Sequence, residues 1–302
     1  MSSAQYSSHS FPIPTPSPAA TPIVRHIGFA DLTDALRKGW DDFQAIPTHA
    51  VLLALIYPVL GLVLARLVLG YSVLPLLFPL AAGFALFGPF AALGLYELSR
   101  RREAGEQPTA WDAFDVLRSP SIGAMLALGG ILMVLFAVWV ATAQAIYVAT
   151  FGYEPAARIS DFIGVVFSTE RGWKLIMLGC GIGLLFALVA LCISVVAFPL
   201  MLDRHASAPE AMLVSFKVVM QNPVTMIAWG LIVAALLVLG SLPFFLGLAV
   251  VVPVLGHATW HLYRKALEPA VMPYHTPPRA RRPRRYAAEF PASLFFWGRR
   301  DR

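Results

Sequence analysis

Six runs of mostly apolar residues dominate this chain, at about 49–69, 73–98, 122–150, 173–202, 224–239 and 244–263. Each has, or nearly has, the roughly 20 residues that a helix needs to cross a bilayer core. Backbone in hydrocarbon must satisfy its own N–H and C=O groups, so such runs fold as helices rather than loops or open sheets. Composition agrees, since 58% of the 302 residues are hydrophobic and 13% are charged. A soluble domain has roughly 45–50% and 25%. The chain reads as an all-α membrane protein with six transmembrane helices.

The runs pair into three hairpins. Tyr71-Ser72 and Ser241-Leu242-Pro243 make tight turns in the first and third, and residues 151–172 make a longer loop in the second. That loop holds a weakly amphipathic stretch of Ile159, Phe162, Ile163 and Val166. An amphipathic helix and a proline precede each hairpin. Over residues 28–46, Phe29, Leu32, Leu36, Trp40 and Phe43 form one helical stripe. Asp31, Asp34, Arg37, Lys38, Asp41 and Asp42 occupy the remaining faces, and Pro47 follows. The second such helix opens on the capping pattern Thr109-x-x-Asp112, shows Trp111, Phe114 and Leu117, and ends at Pro120. The third opens on Ser207-x-x-Glu210, shows Leu213, Phe216 and Met220, and ends at Pro223.

Three copies of one unit follow from this pattern. The closest internal match is between Pro89–Arg101 and Pro253–Lys265. It sets Tyr96 against Trp260, Glu97 against His261, Leu98 against Leu262, and Arg100-Arg101 against Arg264-Lys265. With six spans both termini share a side, and all but four of the 23 Lys and Arg residues fall there; Arg66, Arg158, Arg171 and Lys174 are the exceptions. The positive-inside rule makes that side cytoplasmic, so the three amphipathic helices lie on the cytoplasmic face. Rows of small residues (Ala137, Ala141, Ala145 and Ala149; Gly179, Gly183 and Ala187) are expected to pack inside the bundle. Cys180 and Cys192 are too far apart along one helix, about 18 Å, to form a disulfide.

Two tails flank the membrane domain of residues 27–268. Residues 1–26 are rich in Ser and Pro, have no apolar core of a signal peptide, and are expected to be disordered. Residues 269–302 carry Arg279, Arg281, Arg282, Arg284 and Arg285, then Leu294-Phe295-Phe296-Trp297. A basic run beside a membrane attracts anionic lipid headgroups at about 1 kcal/mol per charge; the plainer alternative is a positive-inside tail with no partner. Basic residues placed beside spans and in one tail do not suggest nucleic-acid binding.

Chemistry is sparse. No phosphate-binding loop, nucleophile elbow, zinc-helix motif or C-x-x-C is present, which points away from an enzyme. No cofactor is implied. His257 and His261 share a helix face at i and i+4. Glu97 is their candidate companion, through the internal match and a pseudo-symmetric packing of hairpins. Such a set suits a transition metal or a proton relay; the plain alternative is polar residues ending spans in the headgroup region. Gln144 lies deep enough to hydrogen-bond between helices. Asp203 and Arg204 are placed to pair.

The segments D-A-L-R-K-G-W-D-D-F, L-L-A-L-I-Y-P, G-P-F-A-A-L-G-L-Y-E-L-S-R-R and G-H-A-T-W-H-L-Y-R-K resemble a bacterial family of predicted integral membrane proteins, domain of unknown function 2189. The resemblance runs from Ile27 to Glu268 and implies a multi-pass protein of the bacterial inner membrane. That family has no established activity, so no catalytic residue carries over. The expectation is a non-catalytic accessory that assembles or organises other membrane components. A transporter or channel with a polar cavity near Gln144 is one alternative, and a metal- or haem-handling protein using His257, His261 and Glu97 is another.

Overall fold

The computed structural model describes residues 22–46, 88–153, 159–242 and 246–269. The first expected span, most of the second, His49, Arg66 and the arginine cluster of 279–285 lie outside these residues. Within them the chain is helical. In order come α1 (Phe29–Ala45), α2 (Gly88–Ala91), α3 (Leu93–Glu103), a 3-10 helix η1 (Ala110–Arg118), α4 (Ile122–Phe151), α5 (Ile159–Ser168), α6 (Glu170–Ser194), α7 (Ala197–Arg204), α8 (Ala208–Gln221), α9 (Pro223–Ser241) and α10 (Leu248–Ala266).

Among the described residues three stretches are long and apolar enough to cross a membrane: α4, α6 with α7 (Glu170–Arg204), and α9. They match the third, fourth and fifth expected spans to within a few residues. The fourth is broken rather than straight. Pro199 lacks an N–H and its ring crowds the carbonyl four residues back, and the chain turns at Val195-Val196 before α7 resumes. Residues Ala197 to Leu202 are then buried. α10 covers the later part of the sixth expected span, but His257, His261, Arg264 and Lys265 make its second half polar, and it is not among the three.

The core gathers where α4 and α9 begin and α7 and α10 finish. Its largest buried side chains include Trp229, Trp260, Tyr96, Tyr263 and Phe198. Tyr96 and Trp260, and Leu98 and Leu262, are matched positions of the internal similarity, and all four are buried. α1 lies along α10 through Leu32, Ala35, Gly39 and Asp42. A Cβ built on Gly39 would stand 2.7 Å from the Ala258 nitrogen and 2.7 Å from the Val254 oxygen. Only glycine lets two backbones come this close. The packed seam is thus rotated from the apolar stripe, whose Phe29 and Trp40 are 61% and 44% exposed.

Residues 23–27 close the core from outside. Val24 bridges Leu267, the Arg25 N–H donates to Ala266 O at 2.8 Å, and the Glu268 N–H donates to Ile23 O at 3.0 Å. Asn222, just ahead of the proline that starts α9, accepts from the Ile27 N–H at 2.9 Å and donates to Arg25 O at 3.1 Å. The Thr225 hydroxyl donates to Ile27 O at 2.9 Å. A buried amide and hydroxyl thereby satisfy an irregular strand that has no sheet.

In η1 the three-residue period stacks positions i and i+3, giving three separate faces. Trp111, Phe114 and Leu117 are exposed, Ala113 and Val116 are buried, and Asp112 and Asp115 both bind Arg101. The expected capping patterns are used: Asp112 accepts from the Thr109 N–H at 2.6 Å, and Ser207 Oγ accepts from the Glu210 N–H at 3.4 Å. Between α4 and α6, the Trp139 ring meets Gly183 and lies 5.5 Å from the Phe186 ring. The alanine row of α4, expected inside the bundle, is exposed at all four positions. The bulkier Met125, Leu128, Leu132 and Trp139 take the packed face instead.

Gly39→Leu would force α1 off α10. We expect a loss of at least the about 1–3 kcal/mol of an overpacked core, seen as a lower melting midpoint in detergent. Gly123→Ala, with nothing within 4 Å of its Cβ, should leave that midpoint unchanged.

Candidate functional site

Asp42, in the last turn of α1, is 5% exposed. A carboxylate so placed needs partners that satisfy its charge. Oδ2 accepts from Ser99 Oγ at 2.6 Å and from His261 Nε2 at 2.9 Å, and Oδ1 accepts from Arg102. Ser99 Oγ also lies 2.7 Å from His257 Nδ1. A hydroxyl has one proton, and here it goes to the carboxylate. Nδ1 of His257 must therefore carry a hydrogen and donate to Ser99, while Nε2 of His261 donates to Asp42. The histidines that sequence places on one face of α10 are brought together, around an aspartate of α1.

This is not the order of groups in a hydrolytic triad. In a hydrolytic triad the serine gives its proton to the imidazole, and the acid holds the far side of the ring. Here serine stands between acid and imidazole, and Ser99 and His257 are 0% and 2% exposed. The arrangement joins α1, α3 and α10. Burial alone would raise the Asp42 carboxyl, but hydrogen bonds from His261 and Ser99 and the nearby imidazoles outweigh it and hold it below its ordinary 3.8.

Glu97 faces another way. It takes Arg100 through two hydrogen bonds of 2.8 Å and Arg101 Nε at 2.6 Å. Arg101 extends to Asp112 at 2.7 Å and Asp115 at 2.8 Å, which fixes η1 to α3. Glu97 therefore does not join His257 and His261 as a ligand. Among the described residues no group of three or more His, Cys, Asp or Glu side chains is arranged to hold a metal ion.

A third cluster closes the far edge. Trp260 Nε1 donates to Glu103 at 2.9 Å, and Arg264 binds Glu103 at 3.0 Å and Asp203 at 3.4 Å. The Tyr263 hydroxyl donates to Asp203 at 2.6 Å. The expected Asp203–Arg204 pair is a loose 3.9 Å; Arg204 also reaches the Glu268 carbonyl. Lys265 binds Asp31 at 3.0 Å and Asp34 at 2.9 Å. Acids expected on the solvated face of α1 are thus turned to α10. Gln144 lies at an exposed position of α4, and Cys180 and Cys192 are free thiols.

Sequence reasoning passed over Asp42 and Ser99. The available signal was the spacing Leu32, Ala35, Gly39, Asp42, a close-packing seam ending in an acid. It also missed His205, which stands in the left-handed region at φ 54° and meets Ser121 Oγ at 3.0 Å.

Helices of membrane-spanning length, beside a cluster of ion-paired helix ends, define an α-helical integral membrane protein. Residues 77–203 match the family model described as predicted integral membrane protein, DUF2189. No curated protein and no solved structure matches the chain.

Asp42→Ala should cost about 1.5–3 kcal/mol, the worth of hydrogen bonds to a charged group, and lower the melting midpoint. A depressed folded-state pKa stabilises above the ordinary 3.8 and stops doing so as pH falls through the lower folded value. Melting curves below pH 3.8 should thus show an acid loss that Asp42→Asn lacks.

Proposed function

We propose that this is a six-span protein of the bacterial inner membrane, built as three hairpins with both termini cytoplasmic, whose role is a non-catalytic one. It assembles, stabilises or organises other membrane components, and anionic lipid headgroups at residues 279–285 are among its partners. One observation carries this reading: the polar side chains that could do chemistry are spent on holding helices together. Asp42, Glu97, Ser99 and His257 are buried, and each is engaged by a neighbouring side chain.

The spans support the same reading. The most apolar windows of α4 and α9 are only 28% and 22% buried within the chain, leaving broad surfaces for lipid or for another membrane protein. Gln144 on an exposed position of α4 gives a transport path no focus, since transport sites collect polar groups between helices.

Purification in mild detergent, followed by mass spectrometry of proteins, lipids and metals together, tests the proposal. Other membrane proteins should co-purify in a fixed ratio. A stoichiometric solute or metal ion without a protein partner would overturn it.

A further inference from the structure

The apolar stripes of η1 and α8 are uncovered, and the spacing of the second continues across Asn222 into α9. On α8, Leu213, Phe216 and Met220 are exposed while Val214, Ser215 and Val218 are buried. Val224, Ile227 and Leu231 of α9 continue the row at intervals of three or four residues across Asn222-Pro223, and all six are 46–66% exposed. α9 is of membrane-crossing length, so its outward apolar side chains belong in lipid. The same spacing of exposed apolar side chains on both sides of Asn222 points to the same surroundings for both. On η1, which leads through Pro120 into α4, the stacked Trp111, Phe114 and Leu117 make a straight ridge, and the Asp112 and Asp115 face is tied down by Arg101.

We infer that η1 and α8 lie flat in the leaflet where α4 and α9 begin, their ridges immersed at the headgroup–acyl boundary by about 5–10 Å. The occupant of these ridges is the bilayer. Trp111, 76% exposed, is an interfacial aromatic anchor, and Arg118, outward beside Leu117 and paired at 3.2 Å with Asp115, has guanidinium donors left for lipid phosphate. Flat docking sets the depth and tilt of α4 and α9, because each follows its surface helix after one or a few residues. The inference rests on the membrane-embedded reading above and adds the surface by which the protein sits in one leaflet.

Full-length protein in nanodiscs of phosphatidylethanolamine and phosphatidylglycerol tests it, with Cys180→Ala and Cys192→Ala and a nitroxide at one of Phe114→Cys, Phe216→Cys, Ile227→Cys or Glu210→Cys. Labels at 114 and 216 should collide with oxygen more than with a water-soluble nickel chelate, as at 227, and the preference should reverse at 210. Nickel-accessible labels at 114 and 216, or labels immobilised there by protein contact, would overturn the inference. If 227 still reports lipid in that case, membrane embedding stands. A water-exposed 227 would remove both. Quenching of the unlabelled protein by brominated lipid should fall in Trp111→Phe; unchanged quenching counts against the inference.

Discussion

A buried carboxylate is the constraint on which the packing of this chain turns. Asp42 has left water and is tolerable only while Ser99, His261 and Arg102 hold it. Those partners come from α3 and α10, so satisfying one charge fixes three helices at once. Removing one partner from such a network costs more than making each bond gained, since an unsatisfied buried acceptor bears its full desolvation penalty. The close approach at Gly39 and the charge at Asp42 are two parts of one seam. Small residues bring α1 against α10, and the acid at the seam's end gives that contact its register.

Around this seam the charges fall into three separate groups. Asp31 and Asp34 with Lys265 tie α1 to α10, Arg101, held within α3 by Glu97, ties α3 to η1 through Asp112 and Asp115, and Arg264 ties α10 to α3 and α7 through Glu103 and Asp203. The partly exposed pairs of Lys265 and Arg264 stabilise little individually, but all three groups sit at the rim of an apolar core and decide which helix ends meet. A polar plate of this kind leaves the apolar helices beyond it free to face lipid.

Much of this was legible in the sequence, and the gaps have physical causes. Apolar run length located α4, α6 with α7, and α9, because hydrocarbon imposes a length on any helix that crosses it. Capping patterns at Thr109 and Ser207 located η1 and α8, since those bonds are local. Asp42 was hidden because amphipathic reasoning sorts aspartate to the solvated face, and its burial depends on Ser99 and His261, 57 and 219 residues away. Glu97 was assigned to the wrong neighbours for a related reason. The internal match aligns it with His261, but Arg100 and Arg101 one turn along the same helix reach it first. The break ahead of Pro199 was signalled by the proline, while the outward alanine row of α4 was not, since small residues mark close packing only where a partner helix arrives.

The clasp formed by residues 23–27 bears on how the molecule is made. Val24 bridges Leu267, and Asp42 waits for His261, so a segment made early pairs with one made more than 200 residues later. Every intervening helix must be synthesised before α1 finds its seat. During that interval Asp42 lacks the His261 that helps to hold it, and the seam of Leu32, Ala35 and Gly39 has no α10 to pack against.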